Sequence, residues 1–428
     1  MAIAHTTGGE ATGKGFYRGR HTYVEELGEK VDNSKDNLLL VLGPRRIGKT
    51  SIVKQFFLER NEDETDPGAY IYIYIPKIKN LVEFYEKAID EINKSLAEFS
   101  KYSKLRDLVR GSRLKAAING VQDTIKNLSI AGHGITLKDA DKWEQYTSLV
   151  ASLRNEFLSV IMAFEKKKVV LGFDEVPEAI HYLLKNKHGK EEVELWLEHL
   201  RELRHCAESK DMITVILFGS VNMKLTLEKI GQTKAINDNF NITVRPLEIE
   251  MVKELFWDLV DTLRLKILED NQCEVNTFLE KMFTISSPWA IQNFLDKFRP
   301  PQQNNQLKEA LQCAYLELFD IVGGVRYINE RLDRYYCKEG NEDRIKMIKI
   351  LLKYFAQQHV DNQIEVVEDA ALCAWAAKEL EIDRERYNEL IDILLLDNMI
   401  YREGSGLSIK NTVERNFWYY RLVGSCKF

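Results

Sequence analysis

A chain of 428 residues can hold two or three domains and bury a large core, and its 45% hydrophobic and 29% charged content is ordinary for a soluble protein. A net charge of −6 excludes a global basic field that would hold nucleic acid nonspecifically, leaving only a local patch for that role. The six cysteines (Cys206, Cys273, Cys313, Cys337, Cys373, Cys426) are scattered without a CxxC pair, which argues for reduced thiols against a disulfide frame or a zinc site.

The opening stretch "MAIAHTTGGEATGKGF" lacks the apolar core of a signal peptide, and no apolar run approaches membrane-spanning length. A cytoplasmic chain with no membrane partner is therefore expected. Residues 1–35 read as an N-terminal segment in which "FYRGR" turns at Gly19 and Tyr23, Val24 and Leu27 mark a helix.

The α/β core is expected over residues 36–247. "NLLLVL" is a buried-strand run, and "GPRRIGKTS", Gly43-Pro44-Arg45-Arg46-Ile47-Gly48-Lys49-Thr50-Ser51, follows it with the GxxxxGK[ST] pattern before the helical "SIVKQFFLER". Strand, glycine loop and helix N-terminus make an anion site, because backbone N–H groups of the loop and first turn point at a phosphate. Lys49 can reach the β and γ phosphates of a triphosphate, and the Thr50 hydroxyl can ligate Mg²⁺.

"AYIYIYIP" is the next strand and "NLVEFYEKAIDEINKSL" an amphipathic helix. Residues from about 97 to 140 read as a mostly helical insertion carrying the basic set Lys101, Lys104, Arg106, Arg110, Arg113 and Lys115. Such a run serves as a solvated helix face or as a nucleic-acid surface. A long helix, "DKWEQYTSLVASLRNEFLSVIMAFEKKK", leads into a buried strand, Val169 to Phe173, that ends in Asp174-Glu175. This is the form of a Walker B element: Asp174 holds Mg²⁺ through water, and Glu175 orients or deprotonates an attacking water. An acidic pair also ends many strands for structural reasons.

The helix "EVELWLEHLRELRHCAESKD" precedes the strand "MITVILFGS", whose tip makes Ser220 the candidate γ-phosphate sensor, with a plain Gly-Ser turn as the alternative. Another strand, "FNITVRPL", closes the core. Helices run from about 249 to 335, so residues 248–338 are expected to form a helical section. From 339 to 428, three helices ("RIKMIKILLKYFAQQ", "VVEDAALCAWAAKEL", "DRERYNELIDILLLDNMI") and a hairpin turning at Glu403 to Gly406 give winged-helix order. The expected fold class is α/β, a doubly wound parallel sheet with the phosphate site at the strand carboxyl ends, followed by a helical lid and a C-terminal winged-helix domain.

In their order, "GPRRIGKTS", "VVLGFDE", "ILFGS" and a helical lid before a winged helix resemble the AAA-like ATPases of the STAND class, in the branch known as the archaeal ATPase family. "FYRGR" resembles that class's GR motif, which implies that Gly19 and Arg20 border the nucleotide base. "SSPWAIQNFL" resembles the lid's GxP motif, with Pro288 kept and Ser286 in place of glycine, and "LSIKNTVERNFWYYRL" is similar to the family's closing strand and aromatic helix. The resemblance implies ATP, rather than another nucleotide, with Mg²⁺. The lid stretch near Pro288 has no arginine, so the second sensor stays unassigned. Arg201 and Arg204 lie where a trans-acting finger could sit, though solvated helix charges are the expected reading.

Lacking a finger, hydrolysis is expected to be slow, which favours a nucleotide-dependent switch working with a protein partner or by self-assembly. The alternative is a DNA-binding ATPase using the winged helix or the basic insertion. Charge argues against the former: residues 343 to 428 hold 12 Lys and Arg against 14 Asp and Glu, and the expected recognition helix offsets Arg384 and Arg386 with Glu385, Glu389, Asp392 and Asp397. A degenerate, structural clamp is disfavoured because Lys49, Thr50, Asp174 and Glu175 are all present.

Overall fold

Three strands in this chain read as largely apolar runs, and each is buried on both faces, as parallel strands covered by helices must be. They are β1 (Leu38–Leu42), β3 (Val169–Asp174) and β4 (Ile213–Phe218), joined by β2 (Ala69–Tyr74) and β5 (Phe240–Thr243) in one five-stranded parallel sheet of order β2-β3-β4-β1-β5. The computed structural model describes residues 12, 18–33, 38–75, 77–98, 102, 140–162, 167–205, 212–219, 223–236, 239–267, 269–301, 306–322, 342–396 and 399–424. The expected insertion therefore lies outside the described residues except for its margins and Tyr102, and so does the basic set from Lys101 to Lys115.

Packing divides the chain into two compact units, one of Thr22–Leu42 with Ile52–Thr243, the other of Met1–His21, Gly43–Ser51 and Val244–Phe428. In the first, the period-two alternation of "AYIYIY" sorts β2 by face. Ile71 and Ile73 join the apolar cluster formed with α3 (Leu81–Glu98), α4 (Ala140–Met162) and α6 (Gly189–His205), where Phe84 meets both Phe173 and Trp196. Tyr70 faces the other way, against Phe56 and Phe57 of α2 (Lys49–Glu62). Helices thus cover both faces, the doubly wound arrangement. α1 (His21–Asn33) buries Val24, Leu27 and Val31, while α5 (Val176–Leu183) and α7 (Met223–Lys229) follow β3 and β4.

"FNITVRPL", expected as one strand, is two. β5 ends at Thr243, and Leu247–Glu248 forms β6 in a separate antiparallel pair with β7 (Ile285–Ser286). Pro246, which has no N–H to give a ladder, stands between them.

The second unit holds α8 (Ile249–Thr262), α9 (Gln272–Met282), α10 (Pro288–Lys297) and α11 (Leu307–Val322), then α12 (Glu342–Asn362), α13 (Asp369–Glu379), α14 (Arg384–Leu396) and α15 (Thr412–Val423). One apolar cluster runs through all of them, from Leu247 to Tyr419. Its aromatic spine includes Phe283 against Phe294 and Tyr315, and Phe319 of α11 against Phe417 of α15.

Val367–Glu368 forms a strand, β8, ahead of α13, where the sequence reading began the helix at once. Two consecutive β-branched residues, Val366 and Val367, favour the extended pairing with β10 (Gly406–Ser408). β10 also pairs antiparallel with β9 (Tyr401–Glu403) through a two-residue turn in which Gly404 has φ +60°, as such hairpins require. Among the described residues, no helix is long and apolar enough to cross a membrane.

Candidate functional site

The loop after β1 turns on two glycines that no other residue replaces cheaply. Gly43 has φ +142°, and a Cβ there would sit 2.4 Å from the Val244 carbonyl oxygen. Gly48 has φ +100°, and a Cβ there would meet no protein atom within 4 Å, so its requirement is the backbone conformation and close approach from outside. Arg46 is also left-handed, at φ 62°, a conformation that costs a non-glycine residue about 1–3 kcal/mol and concentrates at functional loops. Ile47 anchors the turn by burying its side chain.

α2 opens at Lys49, whose ammonium folds back into the loop and donates to the carbonyl oxygens of Gly43 at 2.8 Å and Pro44 at 2.6 Å. Lys49 is only 6% exposed. Its charge is therefore held within the turn rather than spent on bulk solvent. Thr50 and Ser51 follow in the first helical turn, half-buried. The Arg46 guanidinium lies 3.8 Å from the centroid of the Trp289 ring, the residue after Pro288. Pro288 is the first residue of α10, and Ser287 caps that helix by accepting from the Ala290 N–H. The loop and the Pro288 segment are thus brought together in one unit.

Gly19 and Arg20 lie in a 3-10 turn, Arg18–Arg20, just ahead of α1, with Gly19 half-buried and Arg20 buried.

The acidic pair sits at the carboxyl end of β3. Since the strands run parallel, this is the same sheet edge at which β1 ends. Asp174 is 3% exposed; its Oδ1 accepts the Glu175 N–H at 2.8 Å and its Oδ2 accepts the Tyr72 hydroxyl at 2.7 Å. Glu175 adopts φ 60°, ψ 33° as the residue preceding α5, and its side chain does not cap that helix. A left-handed backbone costs a non-glycine residue about 1–3 kcal/mol and is found mostly at functional sites.

β4 delivers its tip to the same place. A Cβ on Gly219 would lie 2.6 Å from Pro177 Cδ and 3.2 Å from Glu175 Cα, so glycine permits the approach. The sensor candidate Ser220 itself lies outside the described residues.

Arg201 is exposed on α6, but Arg204 corrects the expectation of two solvated charges. It is 1% exposed, and its Nε donates to the Leu200 carbonyl at 3.2 Å. Its aliphatic stem falls on the core-facing stripe of the helix, with Leu200 and Leu203.

Two residues that the sequence reading passed over stand beside the acidic pair: Tyr72, and Lys54, whose Nζ lies 4.0 Å from the Tyr72 ring centroid. The signal for Tyr72 was present in "AYIYIY", whose alternation places Tyr70, Tyr72 and Tyr74 on one face.

The glycine loop, at a helix N-terminus and with an enclosed lysine, fits the phosphates of a nucleotide, and Thr50 and Asp174 are each a hard oxygen donor of the kind Mg²⁺ takes. Among the described residues no group of three or more His, Cys, Asp or Glu is placed to hold a metal.

A family model described as an ATPase domain predominantly from Archaea matches residues 17–275, more than half of the chain. The chain belongs to this ATPase family. Among solved structures, a Walker-type ATPase of Pyrococcus abyssi is similar over 96% of this chain and 97% of its own, with TM-score 0.56 and 18% identity. The ORC2 protein of Aeropyrum pernix, solved as ADPNP-ADP complexes, is similar over 95% of each chain, with TM-score 0.51 and 10% identity. At such identities the likeness shows the fold, a P-loop ATPase α/β sheet with a helical C-terminal region. No curated protein sequence matches.

Proposed function

We propose that this member of the archaeal ATPase family is an ATP-dependent switch of the STAND type, in which slow hydrolysis, regulated by a partner, resets a lid held to the phosphate loop. The observation that carries the reading is the Arg46–Trp289 contact: the loop that would grip the phosphates also grips the residue after Pro288. Whatever draws Arg46 toward a phosphate is then felt by α10.

In this reading the backbone N–H groups of the Gly43–Ser51 loop, Pro44 having none, and the Lys49 ammonium hold the β and γ phosphates, while Gly19, Arg20 and Pro288 border the nucleotide. Thr50 and, through water, Asp174 hold Mg²⁺, which supplies charge neutralisation between the phosphates. Glu175 takes a proton from, or orients, the attacking water, and Ser220 contacts the γ-phosphate. With Arg204 buried, no arginine on α6 other than Arg201 is free to act across to a neighbour, and a finger is worth about 10³–10⁵ in rate. Slow turnover by the isolated chain follows.

Residues 248–338 are the lid and 339–428 a winged helix; the order α12, β8, α13, α14, β9, β10 with sheet order β8-β10-β9 supports the latter. A protein partner or self-assembly suits this surface better than DNA. Arg386 and Arg344 both pair with Glu389, and Arg402 of β9 pairs with Asp369 at 3.0 Å. Guanidinium groups already paired within the domain release few phosphate counterions.

Titration of ATP into wild-type and Lys49→Ala chains tests the nucleotide site. Wild-type binding that the variant weakens at least tenfold is expected; equal affinity would remove the loop from the reading.

A further inference from the structure

We propose that Tyr72 is a positioning residue for the metal-holding carboxylate of Asp174, and that Lys54 holds Tyr72 in place from the phosphate-loop helix. This rests on the assignment of Asp174 as the Mg²⁺ carboxylate.

The strand register builds the arrangement. β2 and β3 pair with Tyr72 opposite Gly172 and Tyr74 opposite Asp174, so Tyr72 and Asp174 share a face two residues apart on adjacent strands. Gly172, having no side chain, leaves that face low. A Cβ there would stand 2.8 Å from the Phe57 ring of α2, so glycine lets α2 pack closely against β3. The Tyr72 ring then reaches along β3 between Phe218, at a centroid distance of 6.2 Å, and the Lys54 ammonium, at 4.0 Å. Its hydroxyl meets Asp174 Oδ2 at 2.7 Å, while the Glu175 N–H takes Oδ1 at 2.8 Å.

With the Tyr72 hydroxyl on one oxygen and the Glu175 N–H on the other, the plane of the carboxylate is held from both sides. A hydrogen bond that orients a direct metal ligand typically contributes about 10–100-fold in metal affinity, and the low end of that range is expected for a carboxylate that holds the ion through water. Lys54 stands five residues after Lys49 on the same helix, so its contact with the Tyr72 ring ties the carboxylate's support to the helix that begins at the phosphate loop.

The test compares ADP affinity with and without Mg²⁺ by calorimetry for wild type, Tyr72→Phe, Asp174→Asn and the double variant, together with Mn²⁺ binding to the ADP complex followed by electron paramagnetic resonance. Tyr72→Phe keeps the ring and its packing. The expected result is metal-free ADP affinity within about twofold of wild type and about tenfold weaker Mn²⁺ binding. In the Asp174→Asn background, Tyr72→Phe should add nothing. Undiminished Mn²⁺ affinity in Tyr72→Phe, or an equal loss in both backgrounds, overturns the positioning role while leaving Asp174 as the metal residue. Wild-type ADP affinity indifferent to Mg²⁺, or Asp174→Asn matching wild type, overturns the metal assignment and this proposal with it. A Tyr72→Phe chain that also loses metal-free ADP binding marks Tyr72 as a general structural support and overturns the proposal too.

Discussion

The guanidinium of Arg46 stands over the Trp289 ring with its central carbon 3.8 Å from the centroid, joining the phosphate loop to the first turn of α10. A cation–π pair of this type contributes about 0.5–2 kcal/mol according to its desolvation. In a double-mutant cycle on ATP affinity, Arg46→Ala and Trp289→Leu should therefore couple by about that much. Effects that add to within about 0.3–0.5 kcal/mol would show that the loop and α10 act independently.

Glu175 holds a left-handed backbone that glycine adopts freely. Glu175→Gly should stabilise the chain by up to about 1 kcal/mol in denaturant unfolding while abolishing hydrolysis, a trade between stability and activity. Glu175→Gln should keep ATP binding and lower turnover by about 10²–10⁴-fold, the usual contribution of a positioned base. A Glu175→Gln chain hydrolysing ATP at the wild-type rate would make this residue structural.

The two loop glycines are constrained differently, and substitution should separate them. Gly43→Ala meets both the φ of +142° and the Val244 carbonyl at 2.4 Å, whereas Gly48→Ala meets only its own φ of +100°. Unfolding should show Gly43→Ala as the more destabilised, by about 1–3 kcal/mol. Gly48→Ala should lose nucleotide affinity with a smaller change in stability. The reverse order would contradict the loop geometry.

Two histidines set a sign for acid sensitivity. Burial, aided by Arg154, lowers His199 to about 4, and burial with Arg415 lowers His359 to about 4. His199 Nδ1 lies 2.8 Å from the Tyr85 hydroxyl, and His359 Nδ1 lies 3.2 Å from Arg415 Nη1. Since the unfolded chain protonates a histidine near 6.5, their contribution is complete above that pH and is lost as pH falls from about 6.5 toward 4. Thermal unfolding followed over this window should show a shallower fall for His199→Gln than for wild type. Identical slopes would mean that His199 is protonated as readily folded as unfolded.

Most of the sheet was legible because its central strands are short, largely apolar runs rich in β-branched residues. Val169–Asp174 and Ile213–Phe218 match the expected strands closely, and the hairpin at Gly404 was announced by its glycines. What the linear pattern hid was decided by pairing and packing. Leu247–Glu248 left the expected fifth strand to pair with Ile285–Ser286, and Val367–Glu368 was extended because β10 lies beside it. The phosphate loop and acidic pair were readable from spacing. Their supports were not, because Tyr72 and Trp289 stand about a hundred residues or more from the groups they touch. Arg204, equally readable as a surface charge, is buried because helix phase places it beside Leu200 and Leu203.

Phosphate release from Mg-ATP by the purified chain, with and without duplex DNA and with Glu175→Gln as background, tests the central claim most directly. The account predicts slow release above that background, unchanged by DNA. Release no greater than the Glu175→Gln background would contradict the ATPase assignment of this site, and strong stimulation by DNA would contradict the protein-regulated switch.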